Sequence, residues 1–211
     1  MGRDVFTKNR NRLLEGDVAR EFLSEVVQQA QAKGLTSDEH FTVDGTLIEA
    51  WASLKSFQRK DQGKRPPDDP GNPTVDFQGE KRRNEPHEST TDPDALLERK
   101  GAGKESKLSY NGNLLTEDRN GLIVITELFQ AIGTAERDAA LVMLEQVLGG
   151  HRITVGPDKG YDTKDFVAEC RHLKVTPQVA QNTKHSGGSA IDERTKRHCG
   201  CAVSQKEAEA D

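Results

Sequence analysis

The stretch "RITVGPDKGYDTKDF", residues Arg152–Phe166, decides the fold. Ile153, Thr154 and Val155 form a β-branched run that reads as a strand, and Gly156-Pro157 ends its ladder. Asp158, Lys159, Gly160, Tyr161 and Asp162 come next, before "TKDFVAECRHL" reads as a helix capped by Asp162 or Thr163. "VTPQVA" then reads as a further strand. Strand, helix and strand in this order form a right-handed parallel crossover. In such sheets ligands sit beyond the carboxyl ends of the parallel strands, which is where Asp158 falls.

Working outward, "TAERDAALVMLEQVLGG" reads as an amphipathic helix, with Thr134 as cap, Ala140, Leu141, Leu144 and Leu148 as core, and Gly149 as stop. Before it, "KLSYNGNLLTEDRNGLIVITELFQ" holds two β-type runs around Asn120-Gly121, a hairpin signal. "HFTVDGTLIEAWA" opens with alternating Phe41 and Val43, as a strand does, and carries Asp44 within or near its end. "DVAREFLSEVVQQAQAKGL" predicts a helix capped by Asp17, with Phe22, Val26 and Ala30 on its apolar face and Gly34 as stop. Between Ser53 and Gly103, "KDQGKRPPDDPGNP" and "STTDPDALLERKG" hold neither period, so this span reads as a long, largely irregular insertion.

The expected fold class is therefore α/β: a mixed sheet with an antiparallel meander on one side, parallel strands on the other and flanking helices. The expected organisation is an N-terminal helical segment (1–40), a core (41–180) that includes the insertion (53–103), and an irregular tail (181–211).

With 33% hydrophobic and 31% charged residues, the chain has enough apolar material for a modest core only. No apolar run approaches the ~18 residues of a membrane span, and no signal-peptide pattern opens the chain, so a cytoplasmic protein is expected. A net charge of −5 argues against a nucleic-acid partner if read globally. Read locally, Lys and Arg gather between Lys55 and Lys107 and from Lys184 to Arg197, while the first 51 residues are acidic. Cys170 lies with Phe166 and Leu173 on the apolar face of its helix and reads as core. Cys199 and Cys201 beside His198 lack a second cysteine pair for a zinc site and read as reduced thiols.

If the strands carrying Asp44 and Asp158 are neighbours, the two carboxylates meet. A divalent cation relieves their repulsion, and Mg²⁺ takes a few carboxylate oxygens while suiting phosphate substrates. Against this stands the ordinary role of Asp as a cap where Gly and Pro break a strand.

"HFTVDGTLIEAWASLKSF", "STTDPDALLERKGAGKESKLSYNGNLLTEDRNGLIV", "GTAERDAALVML" and "DKGYDTKDFVAECRHLKVTPQVAQNT" together resemble the DDE transposases of bacterial insertion sequences, from about Val5 to Ser204. The resemblance implies a ribonuclease H-like core holding Mg²⁺, or Mn²⁺, between acidic side chains. Asp44 of "VDGT" matches the first catalytic and metal-binding carboxylate, and Asp158 of "DKGYD" the second. It further implies transposon-end and target DNA as partners, with a homodimer or association with an intact transposase. Lys159 is a candidate for a DNA phosphate or an ordinary surface lysine.

Two departures set the expectations for this chain. After "AVSQ" the family pattern places a Tyr–Arg–Glu–Lys type motif with the third carboxylate. This chain reads "CAVSQKEAEAD" there, and Glu207 and Glu209 do not match by position, so the catalytic triad is incomplete and the chain is expected to be inactive alone. The helical region that family members carry before "VFTKNRNRLLEGDVA" is not in this sequence either, so truncation at both ends is expected. Three readings stay open: a metal-dependent transposase core, a regulatory module that binds DNA or intact transposase through basic segments such as Lys81-Arg82-Arg83 and Arg194-Lys196-Arg197, and an inert remnant.

Overall fold

A computed structural model describes residues 9–10, 12–13, 15–60, 82–101, 103–182, 188–192, 195 and 197. The elements are α1 (Val18–Ala32), β1 (His40–Glu49), β2 (Phe57–Arg59), β3 (His87–Ser89), β4 (Leu96–Glu98), β5 (Lys107–Glu117), β6 (Leu122–Gln130), α2 (Ala135–Val147), β7 (Thr154–Gly156), α3 (Lys164–His172) and β8 (Thr176–Pro177). The main sheet has the order β4-β5-β1-β7-β8, with β6 also paired to β5, and β2 pairs with β3 separately. The fold is thus α/β with a mixed sheet.

The chain divides into two compact units, each discontinuous in sequence. One comprises the described residues of Met1–Thr42, Leu115–Ile125 and Val147–Asp211; the other comprises those of Val43–Leu114 and Thr126–Gln146.

In the first unit, β1 runs parallel to β7, pairing His40 with Thr154, Phe41 with Val155 and Thr42 with Gly156. β7 runs parallel to β8, pairing Thr154 with Thr176 and Val155 with Pro177. The crossover read from "RITVGPDKGYDTKDF" is therefore present, with α3 as its helix. Backbone bonds bracket the three-residue β7: Thr154 N–H reaches the Glu39 carbonyl, and Thr176 and Gln178 N–H reach those of Ile153 and Val155. Val155, Phe166, Val167, Cys170, Val175 and Val179 are buried, as strand alternation and helical spacing dictate. Burial pushes the Cys170 thiol up to about 12, consistent with a core cysteine.

α1 ends as its glycine predicts. Gly34 takes φ +66°, Leu35 N–H donates to the Ala30 carbonyl and Gly34 N–H to that of Gln31, a left-handed glycine cap. Its start and its apolar face differ from expectation. Asp17 has φ 50° and makes no side-chain cap bond; its carboxylate instead lies 3.6 Å from Arg20 Nε. Phe22 and Val26 are 70% and 46% exposed, whereas Leu23, Val27 and Ala30 are half-buried. Helical periodicity marks an apolar face but does not say what is laid against it.

The hairpin forms where Asn120-Gly121 predicts it, with Gly121 at φ +68°. Its turn is built on Glu117, which has no exposed surface. The Glu117 carboxylate accepts from the backbone N–H groups of Ser37 (2.8 Å), Asn120 (2.7 Å) and Arg119 (3.2 Å). Asn120 Nδ2 also donates to the Leu35 carbonyl, so the turn grips the link between α1 and β1. Burial pushes the Glu117 carboxyl up, but the backbone N–H groups of Ser37, Asn120, Leu122 and Arg119 outweigh it and hold it below its ordinary value.

In the second unit, β4 pairs antiparallel with β5, joining Leu96 to Ser109 and Glu98 to Lys107. β2 pairs antiparallel with β3, from Phe57–Ser89 to Arg59–His87. The described part of the 53–103 span thus carries three strands of three residues each. A small core of Ala50, Phe57, Ala95 and Leu108, flanked by Leu54, Leu97 and Tyr110, holds them. Tyr110 Oη donates to Asp92 at 2.6 Å, and burial together with this carboxylate pushes the phenol up to about 12. Ala135, Ala139, Ala140, Met143 and Leu144 of α2 are buried. Leu148 is not core as expected: it lies one residue past the helix end, in the first unit, and is 40% exposed. Among the described residues, no helix is long and apolar enough to cross a membrane.

Because the folded Glu117 carboxyl is depressed, its stabilisation is fully present above about pH 4.3 and is lost as pH falls through its lower folded value. Glu117→Gln should cost about 1.5–3 kcal/mol near neutral pH, as for bonds to a charged acceptor. Chemical denaturation from pH 7 down to pH 3 should show the gap between wild type and variant closing at the acid end.

Candidate functional site

The loop after β7 runs from buried residues through an exposed tip and back to buried ones. Val155 and Pro157 are buried, whereas Asp158, Lys159 and Gly160 are exposed. Asp158 caps a single helical turn at Lys159–Tyr161, accepting from Gly160 N–H through Oδ1 at 2.7 Å. The ordinary reading of Asp158 as a cap therefore holds, and it engages one of the two carboxylate oxygens. A Cβ on Gly160 would stand 2.9 Å from that same oxygen, so a larger residue here requires the carboxylate to shift.

Tyr161 is buried and packs edge-on against Phe166, with ring centroids 5.2 Å apart. Thr163 is the helix cap, accepting from Phe166 N–H. Asp162 is not a cap: it is 3% exposed and accepts from Asn182 N–H at 2.7 Å and Ala190 N–H at 2.8 Å. It clamps the chain beyond β8 back onto the loop. Arg171 and Asp192, 3.0 Å apart, tie the same region to α3.

Asp44 lies in the middle of β1, exposed, between buried Val43 and half-buried Gly45. Thr42, two residues earlier, is the last residue of the ladder with β7, and its partner Gly156 stands two residues before Asp158. Neither carboxylate is ion-paired to a Lys or Arg among the described residues. Both are chemically suited to a hard divalent cation, Asp158 through its uncapped oxygen. Among the described residues, no three His, Cys, Asp or Glu side chains form a metal-holding group. His198, Cys199, Cys201, Glu207 and Glu209 lie outside the described residues.

Of the basic segments, Lys81, Arg194 and Lys196 also lie outside them. Arg82 donates to the Leu54 carbonyl at 2.7 Å. A surface cavity beside it is lined by Arg82, Arg83, Arg99 and Asn84 together with Glu85 and Glu98, a mixed rather than a purely basic surface.

The buried carboxylates of Glu117 and Asp162 carry no motif that sequence reasoning could use. Glu117 is met by the turn N–H groups of Arg119 and Asn120 and by distant Ser37, and Asp162 by distant Asn182 and Ala190.

No family model matches the chain, and no curated protein matches it. Among solved structures, a piggyBac transposase in a cryo-EM synaptic complex with hairpin DNA is similar at 10% identity and a TM-score of 0.37. The match covers 76% of this chain and 26% of that one, so the chain spans about a quarter of that transposase. A likeness at this level carries neither fold nor function across.

Gly160→Ala should push the Asp158 carboxylate off its turn. The expected loss is about 0.5–2 kcal/mol, the scale of a lost cap bond, read as a lower denaturation midpoint at unchanged m-value. Gly160→Ala as stable as wild type would show that the turn reshapes freely.

Proposed function

We propose that the chain is the catalytic-core part of a DDE-type transposase with a ribonuclease H-like sheet, in which Asp44 and Asp158 are metal-binding carboxylates for phosphoryl transfer on DNA. The observation that supports this reading is the parallel ladder of β1 with β7, whose last pair, Thr42 with Gly156, precedes both carboxylates by two residues. The arrangement of an antiparallel hairpin, a central first strand and a parallel crossover supports the ribonuclease H-like assignment. The motif order of "VDGT" and "DKGYD" supports the transposase assignment.

When bound, Mg²⁺ or Mn²⁺ supplies Lewis-acid stabilisation of phosphoryl oxygens and a water of lowered pKa. The work of the chain itself is positional. Gly160 N–H holds Asp158 Oδ1, which leaves the other carboxylate oxygen uncapped. The Asp162 clamp and the Thr163 cap keep the loop from drifting with substrate. Phosphoryl transfer depends mostly on such positioning and on charge stabilisation, so loss of either ligand is severe. DNA, as transposon ends and target, is the proposed partner, together with a second copy or an intact transposase. Glu207 and Glu209 are not assigned as the third carboxylate.

Calorimetric titration with Mn²⁺, alongside strand-transfer assays on DNA ends, tests the reading. Asp44→Ala and Asp158→Ala should each lower strand transfer by at least about a hundredfold, the scale of losing a main charge stabiliser, and should weaken Mn²⁺ binding. Salt-sensitive DNA binding by a folded chain that shows no strand transfer would favour the regulatory reading. Nicking that survives both substitutions would sink the catalytic one.

A further inference from the structure

A second oxygen cluster lies within the second unit, on the face of β5 that meets α2. Asn111 and Asn113 project from that face and are 3% and 1% exposed. Asn111 Nδ2 donates to Glu136 Oε1 at 3.3 Å, and Asn113 Nδ2 donates to the Asn111 carbonyl at 3.2 Å. The amide oxygens of both asparagines are buried and have no hydrogen-bond partner among the described residues. Turning either amide over does not help. It would set the Asn113 oxygen against the Asn111 carbonyl, or the Asn111 oxygen against the Glu136 carboxylate.

Gly45 of β1 makes room for the cluster. A Cβ there would stand 2.7 Å and 2.9 Å from Cγ and Cδ of Glu136 and 3.0 Å from Asn113 Oδ1. The Glu136 carboxyl and the Asn113 amide oxygen therefore lie side by side over the bare glycine. The cluster brings together three acceptors, one of them a carboxylate, and among the described residues no Lys or Arg is ion-paired with Glu136. Buried acceptors without donors are rare in folded proteins and call for a partner, a water or a cation; the carboxylate beside these two favours the cation.

We propose that Asn111 Oδ1, Asn113 Oδ1 and the Glu136 carboxylate form a binding site for a hard divalent cation. It stands apart from the Asp44 and Asp158 reading and does not rest on it. The donor set is wholly oxygen, with one carboxylate and two amide carbonyls. Mg²⁺ and Ca²⁺ accept such sets, with water completing the shell, whereas Zn²⁺ is usually held by His or Cys ligands. The site joins β5 to the first turn of α2. Its occupation would secure that turn against the strand and lock the Asn111–Glu136 contact, which is long for a charged hydrogen bond.

The test uses the full chain carrying Asp44→Ala and Asp158→Ala, so that binding at that pair cannot contribute. It is titrated calorimetrically with MgCl₂ and with CaCl₂, and its melting midpoint is compared in either salt and in EDTA. The expected result is saturable binding of one ion with a raised midpoint. Adding Glu136→Gln, which keeps the shape and the Asn111 contact, should weaken binding at least about tenfold. Adding Asn113→Asp should tighten it about tenfold, because ligand charge tunes affinity at such sites. A purely structural polar cluster would not produce that gain. A cooperative melt with the same midpoint in EDTA, MgCl₂ and CaCl₂ would overturn the proposal and leave ordinary buried water as the partner of the amide oxygens. So would binding that is indifferent to both Glu136→Gln and Asn113→Asp.

Discussion

The first unit depends on the register of β7. This strand is three residues long and hydrogen-bonded on both sides, to β1 through His40, Phe41 and Thr42 and to β8 through Thr176 and Pro177. A slip of one residue would turn Val155 out of the core and bring its neighbours in. A ladder so short holds its register by what flanks it. Backbone bonds from Thr154 to Glu39 and from Gln178 to Val155 extend the pairing past the strand ends, and Pro157 stops it. The position of Asp158 relative to β1 follows from that stop.

Around this ladder, buried polar groups supply much of the specificity that a sparse apolar content does not. Glu117 collects backbone N–H groups from its own turn and from Ser37, 80 residues away. Asp162 does the same for Asn182 and Ala190. A buried carboxylate is costly unless every oxygen is met, and here backbone donors meet it without a cation. Such a group accepts one arrangement of the chain and penalises the others, whereas a Leu or Val would tolerate several. Asn111, Asn113 and Glu136 stand apart because their amide oxygens are not met in this way.

Asp158 shows how a structural and a chemical role can share one side chain. As a cap it uses Oδ1 to close a turn, and the second oxygen is left out of that bond on an exposed residue. A carboxylate free on its own rotamer would have to be ordered by whatever it bound, at an entropic cost. The glycine two residues later belongs to the same device, since a side chain there would collide with the oxygen that makes the cap.

The local elements are legible in the chain. The Asn120-Gly121 turn, the Gly34 helix stop, the Thr163 cap and the strand–helix–strand order around β7 all follow from the dihedral and periodicity preferences of adjacent residues. The sequence also marked Asp158 as the end of a strand. Which apolar faces are covered is settled by packing: Cys170 is core as read, whereas Phe22, read the same way, is 70% exposed. The tertiary structure alone decided that Glu117 and Asp162 are interior, and that Glu136 lies over Gly45 beside Asn113. The reason is physical. Turn and helix preferences act over four or five residues. The free energy of burying a carboxylate or an apolar face depends on partners tens of residues away, and nothing in the local pattern names them.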